Sequence, residues 1–292
     1  MIFQRILLVG VLFLYPSIIQ KSDGQSTCTS GQIFRDEVAQ SQCTCRVFYP
    51  HGSCSNRCPV GQTICSVVDS GIYLADCNSD CTSVQNKDCD ACGVWLSSLC
   101  LCEKFPSSCV WQHATGESWV QLARKNLATP NQPIHNILSL QTHQSLAMTG
   151  WDFGQLKYDP TSQGLAINPV RTVTQDQVHM HICPFNSDMR TFLTKMSTAS
   201  ISTYKTLTQI KLDPQFVQGN PPTMWCFASQ TKNNPIKGNL MYDAINSVLQ
   251  MNNVCNYNVA AAVMRDSNGY TWGCVTGDDH GDSEHRFLKN CN

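Results

Sequence analysis

Eighteen cysteines are spread so unevenly over these 292 residues that they divide the chain before any other feature is consulted. Thirteen fall between Cys28 and Cys109, and five follow: Cys183, Cys226, Cys255, Cys274 and Cys291. Such a density is a liability in a reducing cytosol and is most simply a disulfide framework, which persists in oxidising compartments. From Thr27 to about Ser108 the sequence is short of aliphatic runs and rich in Cys, Ser, Asp and Gly. Cross-links rather than a large buried core must therefore limit the entropy of its unfolded state. The break near residue 110 marks a domain boundary. Thirteen and five are both odd, so full pairing requires a bridge between the two regions. The expected link runs from the Cys92 to Cys109 region to Cys183.

The N-terminus points to the same compartment. Arg5 precedes an apolar run from Ile6 to Ile19, followed by the polar stretch Gln20 to Gly24, which is the layout of a secretory signal. The run is short of the roughly 20 residues that span a bilayer, so an uncleaved anchor is the lesser alternative. The expected organisation is a signal peptide over 1–24, a Cys-rich disulfide module over 25–110 and a globular α+β domain over 111–292, in a secreted or lumenal protein. A formal charge of −1 with no long basic run excludes nucleic acid as the main partner, because phosphate-backbone binding needs clustered Lys and Arg. Cys43-Thr-Cys45, Cys89-Asp-Ala-Cys92 and Cys100-Leu-Cys102 assemble no four-cysteine zinc spacing. Cys89 to Cys102, with Val94, Trp95, Leu96 and Leu99, has the spacing of a short amphipathic helix.

Within the globular domain, Trp119, Leu122, Ala123 and Leu127 have helical spacing, which predicts a helix over 117–128 stopped by Pro130. His135 to Met148 reads as a strand running into a turn or helix. Gly164 to Asn168 and Gln177 to Ile182 read as neighbouring strands, and Phe185 to Met196 as a helix after Pro184. Tyr242 to Leu249 is expected to be helical. Val259 to Met264 and Tyr270 to Val275 should form a hairpin across Asp266-Ser267-Asn268-Gly269. Asp282 or Ser283 can cap a last helix ending at Cys291. The acidic stretch Asp278 to His285 lacks the alternating oxygen ligands of a calcium loop and reads as a solvated turn and cap.

The segment from Arg171 to Cys183 carries the chemistry. On a strand, Gln175, Gln177, His179, His181 and Cys183 would share one face while Val178, Met180 and Ile182 face the core. A neutral imidazole becomes a good nucleophile when its lone pair is aimed and its other nitrogen is held by a hydrogen bond. Gln side chains could hold phosphate oxygens and Arg171 could neutralise them. The pattern alone leaves three readings open: a satisfied histidine pair, two metal ligands without an evident third, or a nucleophilic site.

Leu165-Ala166-Ile167-Asn168, Arg171-Thr172, Thr174-Gln175, Val178-His179-Met180-His181-Ile182 and Asp188-Met189-Arg190 resemble the signature stretch of the CDP-diacylglycerol pyrophosphatase family. That family is a membrane-associated branch of the histidine-triad (HIT-like) superfamily. Ala260 to Gly269, with the strand, acidic helix start and Cys291 that follow, is similar to the family's closing hairpin and helix. The resemblance covers about the last 180 residues, discontinuously. It implies a HIT-like antiparallel sheet with helices, and it places the nucleophile on His179 and the third histidine on His181. Gln177 stands where the first triad histidine is found. Asn168 and Gln175 match phosphate-lining positions, and His143 resembles the histidine after the first long strand, with a helix-end role as the alternative.

The implied activity is hydrolysis of a phosphoric anhydride in a nucleotide-lipid or nucleotide-alcohol conjugate, CDP-diacylglycerol giving CMP and phosphatidate, with no metal or other cofactor. Gln177, Gln175, Arg171, Asn168 and His143 form the implied phosphate-binding set. Partners would be the small molecule, a membrane-surface lipid and an unidentified protein for the Cys-rich module. The alternative is a non-catalytic secreted binding or adhesion protein on a degenerate scaffold, which the substitution at Gln177 favours. Cys183 reads as a half-cystine pinning the end of the histidine strand.

Overall fold

The computed structural model describes residues 102, 107, 109–113, 116–122, 126–132, 134, 136–170, 177–212, 223–251, 254, 256–277 and 283–291. The signal segment, almost all of the Cys-rich module and the helix expected at Cys89 to Cys102 lie outside the described residues.

The described residues form an α+β fold around one open antiparallel sheet of nine strands. In chain order these are β1 (Cys109–Trp111), β2 (Trp119–Leu122), β3 (Leu127–Pro130), β4 (Gln163–Ile167), β5 (Met180–Pro184), β6 (Thr208–Lys211), β7 (Thr223–Ala228), β8 (Ala260–Arg265) and β9 (Thr271–Thr276). Five helices accompany them: α1 (Ile137–Thr142), α2 (Gln144–Lys157), α3 (Ser187–Ser200), α4 (Gly238–Leu249) and α5 (Ser283–Phe287). The sheet order is β1-β2-β3-β5-β4-β8-β9-β7-β6. Apart from β1, the order 2-3-5-4 is mirrored by 8-9-7-6, with β4 and β8 paired at the centre. Each half runs strand, strand, helix, strand, strand, helix, so the two halves are related by a pseudo-twofold. The exception is α1, for which the loop 229–237 of the second half offers no counterpart.

The sheet is buried on both faces, as a layered domain requires. On one side Leu165, Ile167, Met180, Ile182, Val263 and Val275 pack under α2 and α4 through Trp151, Phe153, Met241 and Ile245. On the other, Ala166, Cys183, Ala262, Trp272 and Cys274 pack under α3 and α5 through Phe192, Leu193 and Phe287. The alternation expected for β5 is therefore present. The two helices of the first layer are joined closely: Gly238 N donates to Asp152 Oδ1 at 2.7 Å, and Gln155 bonds Ile236 through both its amide oxygen and nitrogen. A Cβ on Gly238 would run into the backbone carbonyl of Met148.

The β4–β5 pair, the helix after Pro184, the α4 helix and the β8–β9 hairpin stand where the sequence places them. Gly269 closes the hairpin at φ +91, a conformation that favours glycine. The helix expected over 117–128 is instead β2 and the start of β3. Trp119 packs into the large cluster while Val120 and Leu122 pack against Cys102. A strand covered on both faces loses the alternation that would identify it. His135 to Met148 is helical from Ile137 onward, because Asn136 Oδ1 accepts from Leu138 N and Ser139 N at 3.0 Å and caps α1.

Three disulfides lie among the described residues: Cys102–Cys109, Cys183–Cys291 and Cys226–Cys274. The bridge expected between Cys183 and the Cys92 to Cys109 region is not formed. The chain after α5 returns alongside β5 instead, with Lys289 N donating to Pro184 O at 2.7 Å and Leu288 bridging Phe185, and this delivers Cys291 to Cys183. Cys255, the fifth late cysteine, lies outside the described residues. These bridges fit an extracellular or lumenal protein, and no helix among the described residues is long and apolar enough to cross a membrane.

Candidate active site

His179 immediately precedes β5 and His181 lies on it, with His181 opposite Ala166 of β4 and Leu127 of β3. Both are held in a nearly closed environment, 9% and 8% exposed. His179 Nδ1 is 2.8 Å from the backbone oxygen of Gln177. A carbonyl can only accept, so this nitrogen carries the hydrogen and the lone pair of the neutral ring sits on Nε2. The ring of His181 meets that of His179 edge to face, with centroids 4.8 Å apart.

Behind His181 stands a carboxylate from the far end of the chain. Glu284 Oε2 lies 3.2 Å from His181 Nε2 and accepts from Asn168 Nδ2 at 2.9 Å. Asn168 Oδ1 in turn accepts from Glu284 N at 3.1 Å, and Ser283 Oγ donates to Ile167 O at 2.8 Å. The end of β4 thus clamps the first turn of α5. Asn168 positions Glu284, and Glu284 sits on His181. The cluster joins an imidazole with a defined nucleophilic nitrogen to a second imidazole backed by a carboxylate, the components of nucleophilic and proton-transfer chemistry.

Of the residues singled out from sequence, the structure brings His179, His181 and Asn168 together. Arg171 and Gln175 lie outside the described residues. Gln177 departs from its expected phosphate-binding role. Its side chain is fully buried, its amide nitrogen donates to Pro130 O at 3.0 Å and to Gln132 O at 2.8 Å, and its oxygen accepts from Ile134 N at 3.2 Å. Both N–H groups are engaged by backbone, which leaves none for a phosphate. His143 is not part of the cluster. It is exposed at the junction of α1 and α2, the helices that cover the opposite face of the sheet. Glu284 and Ser283 were not anticipated as site residues. Their sequence signal, a serine and an acid opening a helix, is that of an ordinary helix start, and their partner is 116 residues away.

His181, Cys183 and Cys291 place one potential ligand atom each within 4.8 Å of one another. The Cys183–Cys291 bond engages both sulfurs, so they are not available as thiolate ligands. His179 Nδ1 is likewise turned to a protein group, the Gln177 carbonyl. The cluster of His181, Cys183 and Cys291 does not include His179. No protein-family model and no curated protein matches the chain.

Proposed function

We propose that the chain hydrolyses a phosphoric anhydride in a nucleotide conjugate, with His179 as nucleophile. The observation that carries this reading is the 2.8 Å contact of His179 Nδ1 with the Gln177 carbonyl, which leaves a directed lone pair on Nε2. In this scheme Nε2 forms a bond to phosphorus while the bridging P–O bond breaks, and the leaving phosphate monoester departs with the electron pair. Water then cleaves the N–P bond and restores the imidazole. The His181–Glu284 pair sits where it can hold and move a proton during these steps.

The likeness of the 165–190 stretch to the CDP-diacylglycerol pyrophosphatase family supports CDP-diacylglycerol as substrate, and an α+β fold on one open antiparallel sheet is compatible with the HIT-like fold which that likeness implies. Attack at the cytidylyl phosphorus would release phosphatidate, and hydrolysis would release CMP. No metal enters the scheme. The rival reading, a non-catalytic binding protein, takes its motive from Gln177 in place of a histidine. That substitution is accommodated by backbone partners rather than by His179.

The test is to incubate the mature protein with CDP-diacylglycerol, CDP-alcohols and dinucleoside polyphosphates and to follow mononucleotide release by chromatography beside His179→Ala. Release by the wild type and its loss in the variant is the expected result. No release from any compound, or equal release by the variant, would refute the nucleophile and favour the binding protein. Zinc present in stoichiometric amount and lost in His179→Ala and His181→Ala would replace the scheme with a metal site.

A further inference from the structure

The pseudo-twofold leaves a space in the second half that the first half fills. Between α2 and the outer strands of the first half lie the indole of Trp119 and the side chains of Ile134, Ile137 and Leu140, three of these four from α1 or the loop before it and all fully or almost fully buried. Trp119 Nε1 donates to Leu146 O at 2.8 Å, and its ring lies against Gly150. In the second half there is no α1, and the chain entering β6 brings Lys205, Thr206 and Leu207 in place of a tryptophan. What remains between α4, β7 and the 229–237 loop is an open groove of about 460 Å3, within the range of small-molecule sites.

The lining of the groove identifies the kind of occupant. Its lining joins apolar side chains, among them Leu207, Phe227, Leu240 and Ala244, to uncharged polar ones such as Thr231 and Asn234. Leu240 is 45% exposed, one of three large apolar side chains left so open among the described residues. Lys205 and Lys237 stand at the mouth, and Asp243 is the acid that shares it. An apolar body with one negative end satisfies both features, because the tail covers the open Leu240 beside the buried Phe227 while the head is attracted by two ammonium groups. The groove lies four strands from β5 and on the α2–α4 face, so it is separate from His179, and the inference does not depend on the hydrolase reading.

We propose that this groove binds a free single-chain anionic amphiphile of the fatty-acid class, carboxylate toward Lys205 and Lys237 and chain along Phe227, Ile236 and Leu240. The full chain is titrated with a dansylated fatty acid, followed by displacement with dodecanoate and with dodecyltrimethylammonium. Two variants are compared: Ser247→Trp, an exposed position that places a ring in the groove, and the Lys205→Glu/Lys237→Glu pair at the mouth. Circular dichroism checks that each is folded.

Dodecanoate should displace the probe and the ammonium amphiphile should not. Each variant should weaken dodecanoate by about tenfold or more, the loss expected when two partly exposed attractions become repulsions or the apolar volume is filled. Absence of probe binding, displacement by both amphiphiles alike, or affinity unchanged in both variants would overturn the proposal. So would co-sedimentation with phosphatidylglycerol vesicles that both variants lose while dodecanoate does not bind, which would assign the groove to a membrane surface.

Discussion

Replacing Gln177 by glutamate keeps the shape of the side chain and changes only the group that faces two carbonyls. In the wild type the amide nitrogen donates to Pro130 O and Gln132 O, and the residue is fully buried. An ionised carboxylate there would set an anion against two acceptors with only Ile134 N to satisfy it, so the folded protein must hold the group neutral. A neutral carboxyl has one hydrogen for two carbonyls, a loss of about 1 kcal/mol at any pH. Holding it neutral against an unfolded-state pKa of about 4.3 costs about 1.4 kcal/mol for each pH unit above that value, or about 4 kcal/mol near pH 7. The sign follows from the raised folded-state pKa. The extra penalty is absent below the unfolded value and grows as pH rises, levelling only beyond the folded value. Urea unfolding with the disulfides intact, followed by tryptophan fluorescence, should show Gln177→Glu within about 1–2 kcal/mol of wild type near pH 4 and about 5 kcal/mol below it near pH 7. A pH-independent difference would mean that the carboxylate is solvated. Gln177 would then face an open pocket, as a phosphate-binding role requires, and the burial argument would fail.

Glu284→Gln removes the anion behind His181 while preserving its size, and should lower the hydrolytic rate by about a hundredfold with little change in melting temperature; an unchanged rate would remove Glu284 from the mechanism. Gly238→Ala should destabilise the domain by about 2–3 kcal/mol and lower its melting temperature by several degrees, since the obstacle is the Met148 backbone carbonyl rather than a side chain that can turn aside. Peptide mapping under non-reducing conditions should recover Cys183 with Cys291, Cys226 with Cys274 and Cys102 with Cys109, and a Cys183 peptide linked to the Cys-rich module would contradict the fold at β5. The Cys183–Cys291 bridge spans 108 residues and Cys226–Cys274 spans 48, so loss of either should cost at most about 5 and 4 kcal/mol respectively in denaturation experiments.

The parts of the fold that were legible are those with local punctuation. Asp266 to Gly269 marks the hairpin, Pro184 marks the start of α3, and alternation of polar and apolar side chains marks β5. The parts that were not are strands whose two faces are both covered. Trp119-Val120-Gln121-Leu122 imitates a helical stripe, and Thr223 to Ala228 is apolar at every position after Thr223, a short run without a period that distinguishes strand from helix. The site divided in a similar way. His179 and His181, at the start of β5, were visible as a pattern, and Asn168, at the end of the adjacent β4, came from the family resemblance. Glu284 reaches the same place through a helix 116 residues away from Asn168, and no local signal encodes that return. The cysteine parity asks for a bridge between the two regions but cannot say which late cysteine makes it; Cys183 pairs with Cys291 instead, because pairing is decided by where the chain after α5 is laid down.

The pseudo-twofold shows how little of this chemistry follows from the fold itself. Each half braces the other: Asn168 after β4 binds the helix that follows β9, and Ser267 and Asn268 after β8 bind Thr194, Ser197 and Thr198 of the helix that follows β5. On the face where β5 carries His181 and Cys183, β9 carries Trp272 and Cys274. There the indole donates to Asp266 Oδ2 at 2.9 Å and packs against Tyr204, which closes the corresponding space. What distinguishes the first half is the backbone just before β5. Val178 N donates to Ile134 O, Thr129 Oγ1 donates to Val178 O, each at 2.7 Å, and the Gln177 amide ties the same strand end to residues 130–134. These bonds fix the Gln177 carbonyl, and it is that carbonyl which sets the His179 tautomer. Gln177 therefore holds this strand end through its side chain, whereas the atom that His179 Nδ1 meets belongs to the main chain and is supplied by any residue at 177 that can hold it still.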